Sequence, residues 1–225
     1  MNTLDVIEEI ITSNANIKSV TFHEFPKQKL LQNQIEFSDI EERQFEEAMK
    51  IRNTYNLPFW DSMMLTYFNK EKTSNNILKC ALRHNSHSKE IKSRDIDSIK
   101  SRIIDNPDEN IAFNSKVTLL NGDVKHLPLL DFHIPVNENN QKQVEKILEL
   151  LDLKSGYIMI SGESYHYIGN QLKDESSLFI FLSKALLFSP IIDKSWIAHQ
   201  LLEHSCSLRV TLKHNIEPKL IKILK

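Results

Sequence analysis

The carboxy-terminal half of this chain predicts an α+β fold, a four-stranded sheet with its helices on one face, and three observations predict it. From residue 125 onward, strand-like and helix-like runs follow the order β-α-β-β-α-β, leaving aside one extra helix near residue 200. Just before that series, Asn121-Gly122 separates two strand-like runs, the strongest short-range signal of a hairpin. The 225 residues are 40% hydrophobic and 26% charged, which suits a chain that buries a real core. The order β-α-β-β-α-β is that of the ferredoxin-like, split βαβ pattern.

Each element rests on local chemistry. In the first half, IKSVTFHEF (17–25) carries the β-branched and aromatic residues that suit a strand. SDIEERQFEEAMKIRNTYN (38–56) reads as a helix, because Ser38 can cap it, acids fill its first turn, and Phe45, Ala48 and Ile51 form an apolar stripe. Pro58 can open the next helix, PFWDSMMLTYFN, in which Phe59, Met63 and Tyr67 recur at helical spacing and read as core. The polar stretch HNSHSKEIKSRD (84–95) reads as a surface connection.

In the second half, IAFNSKVTLL and DVKHLPLLDFHIPV flank the Asn-Gly turn. NENNQKQVEKILELLDL (137–153) is a helix with Val144, Ile147, Leu148 and Leu151 on one face. GYIMIS (156–161) and SYHYIG (164–169) are short strands around Gly162. LKDESSLFIFLSKALLF (172–188) and DKSWIAHQLLEH (193–204) read as helices. SLRVTLK (207–213) alternates as a strand, with Leu208, Val210 and Leu212 on one face and Arg209, Thr211 and Lys213 on the other. The expected organisation is a helix-rich supporting subdomain, residues 1–105, and a sheet-forming subdomain, residues 106–225, within one integrated domain.

Several function classes fall away on composition. Cys80 and Cys206 lie far apart and belong to no C-x-x-C pair, so neither a zinc ribbon nor a disulfide framework is indicated. A formal net charge of -2 argues against affinity for nucleic acid through overall positive charge, so such contact is local or assisted by a partner. No apolar run approaches the roughly 20 residues that span a bilayer, and the acidic start MNTLDVIEEIITSNAN lacks a signal-peptide core, so a cytoplasmic location is expected. No glycine-rich loop of the P-loop or dinucleotide type occurs.

What remains is a set of polar residues at strand spacing. In LPLLDFHIPV, Asp131 and His133 are two apart, so they share one strand face while Leu130, Phe132 and Ile134 share the other. In SGYIMISGESYHYIG, Ser164 and His166 repeat that spacing, opposite Tyr165 and Tyr167. Three of the four glycines, Gly156, Gly162 and Gly169, sit in this one segment, which calls for tight turning or a close approach to the backbone there. Asp193 caps the next helix or serves a site, and the two roles are compatible. Arg209 offers a planar fork of donors that fits phosphate. His84 and His87 read as solvent-exposed, and His199 and His204 do not form H-E-x-x-H. Ser164 with His166 does not form a nucleophile elbow.

The order "LLDFHIP", "SGESYHYIG", "IID" and "WIAHQLLEHSCSLRVT" resembles the three-motif signature of the archaeo-eukaryotic primase superfamily, over about residues 110 to 215. The resemblance implies an RRM-like βαββαβ catalytic sheet and a nucleotidyltransferase that uses nucleoside triphosphates and a divalent metal, Mn or Mg, to make or extend a strand. It implies that Asp131 is a metal ligand and that Asp193 is the acid of the third motif. Ser164 and His166 would contact the triphosphate, with Arg209 as a phosphate contact. His133 stands where the family has its second acid, and it is an imidazole ligand that suits manganese better than magnesium. The implied partners are nucleoside triphosphates, single-stranded nucleic acid bound weakly, and a protein that supplies further affinity; no membrane is implied. The alternative is a catalytically impaired module that binds nucleotide or nucleic acid within a replication or defence assembly.

Overall fold

The structure is a computed structural model, which describes residues 1–26, 38–67, 75–82, 88–212 and 216–225. The chain divides into two compact units, one of residues 1–26 with 88–225 and one of residues 27–87. The boundary read near residue 105 therefore lies inside the first unit, and the 17–25 strand belongs to that unit.

In the smaller unit, α2 (Asp39–Tyr55), α3 (Phe59–Tyr67) and α4 (Asn75–Ala81) surround Phe45, Ala48, Met63 and Ile77. The Glu41 carboxylate accepts the Ser38 N–H and so ties off the start of α2. Gln44 reaches Thr66 between α2 and α3, so a buried amide on the packed face is satisfied. His84 and His87 lie outside the described residues.

The larger unit holds two sheets. In the first, β2 (Lys89–Ser93), β1 (Ile17–Pro26), β3 (Glu109–Leu119) and β4 (Val124–His126) run side by side, all antiparallel, and β8 (Ser207–Arg209) also pairs with β3. The 84–95 stretch is thus more than a connection, because residues 89–93 form an edge strand. Its single apolar residue, Ile91, gives too little alternation to signal one; pairing with β1 decides it. The Asn-Gly hairpin forms between β3 and β4. Against these strands lie α1 (Thr3–Ser13), capped by Asn2, and α5 (Ile96–Asp105), capped by Asp95. Leu4, Ile7 and Ile10 of α1 join Phe22 and Phe113 in one core.

The second sheet has the order β5 (Leu129–Asp131), β7 (Ser164–Gly169), β6 (Gly156–Ser161), β9 (Lys219–Leu224). With α6 (Glu138–Leu150) joining β5 to β6 and β7 lying between them, this is the split βαβ unit that the sequence predicts. After it come α7 (Glu175–Leu186) and α8 (Lys194–Leu202). The fourth strand differs from the expected one, because Ser207–Arg209 joins the first sheet and Lys219–Leu224 completes the second. The changeover lies at Ser115, whose carbonyl still accepts Leu127 N–H at 2.9 Å while its own N–H donates to Cys206 O at 2.7 Å, so β3 passes there from β4 to the segment that leads into β8. As a result β4 covers only Lys116 to Thr118 of β3, and the open edge at Ala112 to Asn114 takes β8. Lys213 lies outside the described residues. Among the described residues, no helix is long and apolar enough to cross a membrane.

A part-buried ion pair ties α5 to β1. Arg102 donates Nε and a terminal nitrogen to the two carboxylate oxygens of Glu24, at 2.6 and 2.5 Å. Those bonds outweigh desolvation and hold the Glu24 carboxyl below its ordinary range. A group depressed in this way stabilises the fold above about pH 4.5 and loses that contribution as pH falls through its folded value. Arg102→Ala is expected to cost about 1–3 kcal/mol at neutral pH, because a largely buried carboxylate loses its partner. Urea denaturation of both proteins across pH 3 to 7 should show the gap closing below about pH 4.

Candidate functional site

The residues that follow β5 are gripped from both sides. Phe132 N–H donates to Tyr165 O at 2.9 Å on the β7 side, while His133 N–H donates to Ile191 O at 2.7 Å on the other. Asp193 N–H then reaches Asp131 O at 3.3 Å. Strand register sets Asp131 directly opposite His166, whose Nε2 lies 3.4 Å from Asp131 Oδ1. Two residues some sixty positions apart in sequence, Asp131 and Asp193, therefore sit on adjacent backbone at the end of the second sheet.

The electrostatics follow from this crowding. Burial raises the Asp193 carboxyl above its ordinary range and the nearby Asp131 adds to the rise; two helix N–H groups and His133 oppose them. Those N–H groups are Ser195 and Trp196, which donate to Asp193 Oδ1 at 2.8 and 3.1 Å, so Asp193 is also the N-cap of α8. Burial pulls the Arg209 guanidinium down and Asp131 pulls it up, so Arg209 belongs to the same neighbourhood. The structure thus brings together Asp131, His133, His166, Asp193 and Arg209. His166 is itself buried, and its Nδ1 has no hydrogen-bond partner.

Ser164 is engaged differently. Its hydroxyl donates to Phe132 O at 2.5 Å and accepts from Ile134 N–H at 3.1 Å, latching β7 to the segment that carries Asp131 and His133. In this arrangement the hydroxyl proton goes to the backbone, so Ser164 positions the strand end. Ser164→Ala is expected to cost about 1–3 kcal/mol in a urea titration, because it leaves a carbonyl and an N–H unpaired in a half-buried site.

Three residues of the site region carry no sequence signal. Trp196 Nε1 donates to Ser207 O at 3.0 Å, and Gln200 Oε1 accepts Ser207 N–H at 2.7 Å, so α8 fixes the start of β8 and with it Arg209. They lie four apart on one helix face, but nothing local names their partner. Tyr165 donates its hydroxyl to Asn137 O and accepts Asn137 N–H, both at 2.9 Å, which pins the entry to α6. His199 is buried on α8, and His204 bonds Glu175 at 2.6 Å. Neither belongs to the cluster described here.

With this geometry in place, comparison decides the family: residues 88–222, more than half of the chain, match the family model described as AEP-like, Archaeo-eukaryotic primase 1D-like. The chain belongs to the archaeo-eukaryotic primase superfamily. No curated protein and no solved structure matches it. In this primase-like chain the matched segment runs from the start of β2 into β9, so it takes in the split βαβ unit and every residue of the cluster.

The superfamily generally uses divalent metal ions, and the donor set here can be tested for fit. Among the described residues, no group of three or more His, Cys, Asp or Glu side chains could hold a metal ion. Two divalent ions bring about +4 of charge. Asp131 and Asp193 bring two negative charges, with Arg209 already beside Asp131, so the residues do not fit a pair of ions. A single magnesium or manganese ion asks less of the protein, because such sites commonly use one or two carboxylates and take their other ligands from substrate phosphate and water. Asp131 and Asp193 would hold that ion, with the His133 imidazole nearby. When bound it would supply charge neutralisation on the phosphates.

Proposed function

We propose that this primase-like chain is a nucleotidyltransferase of the primase-polymerase type, taking nucleoside triphosphates and adding nucleotide to a strand. The observation that carries the reading is the convergence of Asp131 and Asp193 with Arg209 at one strand end. The Arg209 fork suits two oxygens of a phosphate. Asp131 balances that guanidinium when no nucleotide is present and is one of two carboxylates that can share the cation accompanying a triphosphate. Single-stranded nucleic acid is bound weakly, in keeping with a net charge of -2, and a partner protein supplies the remaining affinity.

The test is incorporation of labelled nucleotide on primed and unprimed single-stranded DNA with manganese, comparing the parent with Asp131→Ala. Extension by the parent and none by the variant is expected; equal extension by both overturns the site assignment.

A second reading is a module that binds nucleotide without turning it over, within a replication or defence assembly. Two observations favour it. An imidazole, His133, replaces the second acid, and the Ser164 hydroxyl is closed onto the backbone. Saturable nucleotide binding with no incorporation under any metal selects this reading.

A further inference from the structure

We propose that His126 is a positioning residue for the strand β8: its neutral imidazole takes the Ser115 hydroxyl proton on Nδ1, which locks the point where β3 passes from β4 to β8, and acid opens that lock. The inference goes beyond the proposed function and holds whether or not the chain turns nucleotide over.

The chemistry of one hydroxyl fixes the state of the ring. Ser115 and His126 are both buried. Ser115 Oγ accepts the Cys206 N–H at 2.9 Å and lies 3.1 Å from His126 Nδ1. An amide N–H only donates, so the serine proton has His126 Nδ1 as its acceptor. The ring therefore keeps Nδ1 bare and carries its one proton on Nε2. A second proton would have to sit on Nδ1. Two donors would then face one oxygen, and the serine proton would lose its acceptor in a buried place.

That hydroxyl stands at the changeover on β3. Ser115 O accepts Leu127 N–H from the β4 side, while Ser115 N–H donates to Cys206 O on the way into β8. The hydroxyl adds the return bond from Cys206, one residue before Ser207 opens β8. The histidine is held in register, because its N–H donates to Lys173 O at 2.7 Å and its carbonyl accepts Lys173 N–H at 2.8 Å. The surroundings oppose protonation. Burial holds the imidazole below its ordinary range and Lys116 on β3 adds to that; Glu175 at the start of α7 works the other way, with its carboxylate already 2.6 Å from His204 Nδ1. A histidine held low in the fold contributes fully above its ordinary value of 6.5, and that contribution is lost as pH falls below it.

Histidine-ring NMR and amide hydrogen exchange of the full chain test this. At about pH 7.5 the His126 ring is expected to show a bare Nδ1 and a protonated Nε2. Exchange at the Cys206 amide, corrected for its intrinsic pH dependence, is expected to rise roughly ten-fold between about pH 7.5 and about pH 5.5, the factor by which protonating an exposed imidazole favours the open state one unit below its own value. His126→Asn keeps an acceptor near the place of Nδ1 and cannot titrate, so its Cys206 amide is expected to stay protected and to change by less than about two-fold over the same range. Burial also holds His23 low, and His126→Asn retains His23, so the difference between the two proteins isolates His126. Ser115→Ala removes the hydroxyl and is expected to raise Cys206 exchange at both pH values; it serves if the asparagine variant does not fold, and the parent's ring and amide decide if neither does. A proton on Nδ1 at neutral pH, a doubly protonated ring beside a Cys206 amide that stays protected, or equal pH responses in the parent and His126→Asn would each overturn the inference.

Discussion

Gly156→Ala is expected to destabilise the larger unit by about 3–5 kcal/mol, the sum of backbone strain and overpacking. Gly156 has φ +143°, a conformation that side-chain-bearing residues rarely adopt. A Cβ there would sit 2.6 Å from Ile168 O and 2.8 Å from the Tyr167 ring and hydroxyl. The tightness has a cause. Gly156 faces Gly169 across the β6–β7 pair, and Tyr167 lies over both glycines to donate its hydroxyl to Ser155 O at 2.6 Å. Burial pushes that phenol far above its ordinary range, so the bond stays in place at any working pH. Gly122, with φ +92° and nothing near a built Cβ, is the control: alanine there carries strain alone and is expected to cost about 1 kcal/mol. Urea midpoints of the two variants measure the difference, and equal losses would show that both the Ile168 backbone and the Tyr167 ring give way at Gly156.

Arg209→Ala is expected to weaken nucleoside triphosphate binding by roughly 30- to 1000-fold, the range for losing a fixed, partly desolvated charge contact of about 2–4 kcal/mol. The size follows from a fixed backbone, since strand pairing at Arg209 and the two α8 side chains on Ser207 hold β8 in place before phosphate arrives. Arg209→Lys keeps the charge and loses the fork, so an intermediate loss of roughly ten-fold is expected. Equilibrium binding of labelled nucleotide, with thermal melts to verify folding, gives the answer; unchanged affinity in Arg209→Ala would remove Arg209 from the site.

Much of this molecule is legible because its signals are local. The Asn121-Gly122 hairpin, the Ser38 start, the face of α6 with Val144, Ile147 and Leu148, and the glycine-marked β6–β7 pair all depend on neighbours a few residues away. The period of two puts Asp131 with His133, and Ser164 with His166, on shared faces whatever the partner strand is. The motif order gives the family, and the Asp193 cap is readable from its place before a helix.

The rest depended on pairing between distant segments. SLRVTLK alternates cleanly, yet alternation cannot say which edge a strand will join; the gap that β4 leaves on β3 decided that, and so placed Arg209. β2 has too few apolar residues to announce itself and exists because β1 had a free edge. The backbone partners of the Ser164 hydroxyl, at Phe132 and Ile134, are likewise visible only in the fold. Sequence alone determined which residues could share a face and which family they serve. Tertiary structure alone decided that Asp131, Asp193 and Arg209 meet, because backbone hydrogen bonds across a sheet are indifferent to sequence distance and are filled by whichever strand satisfies the open edge.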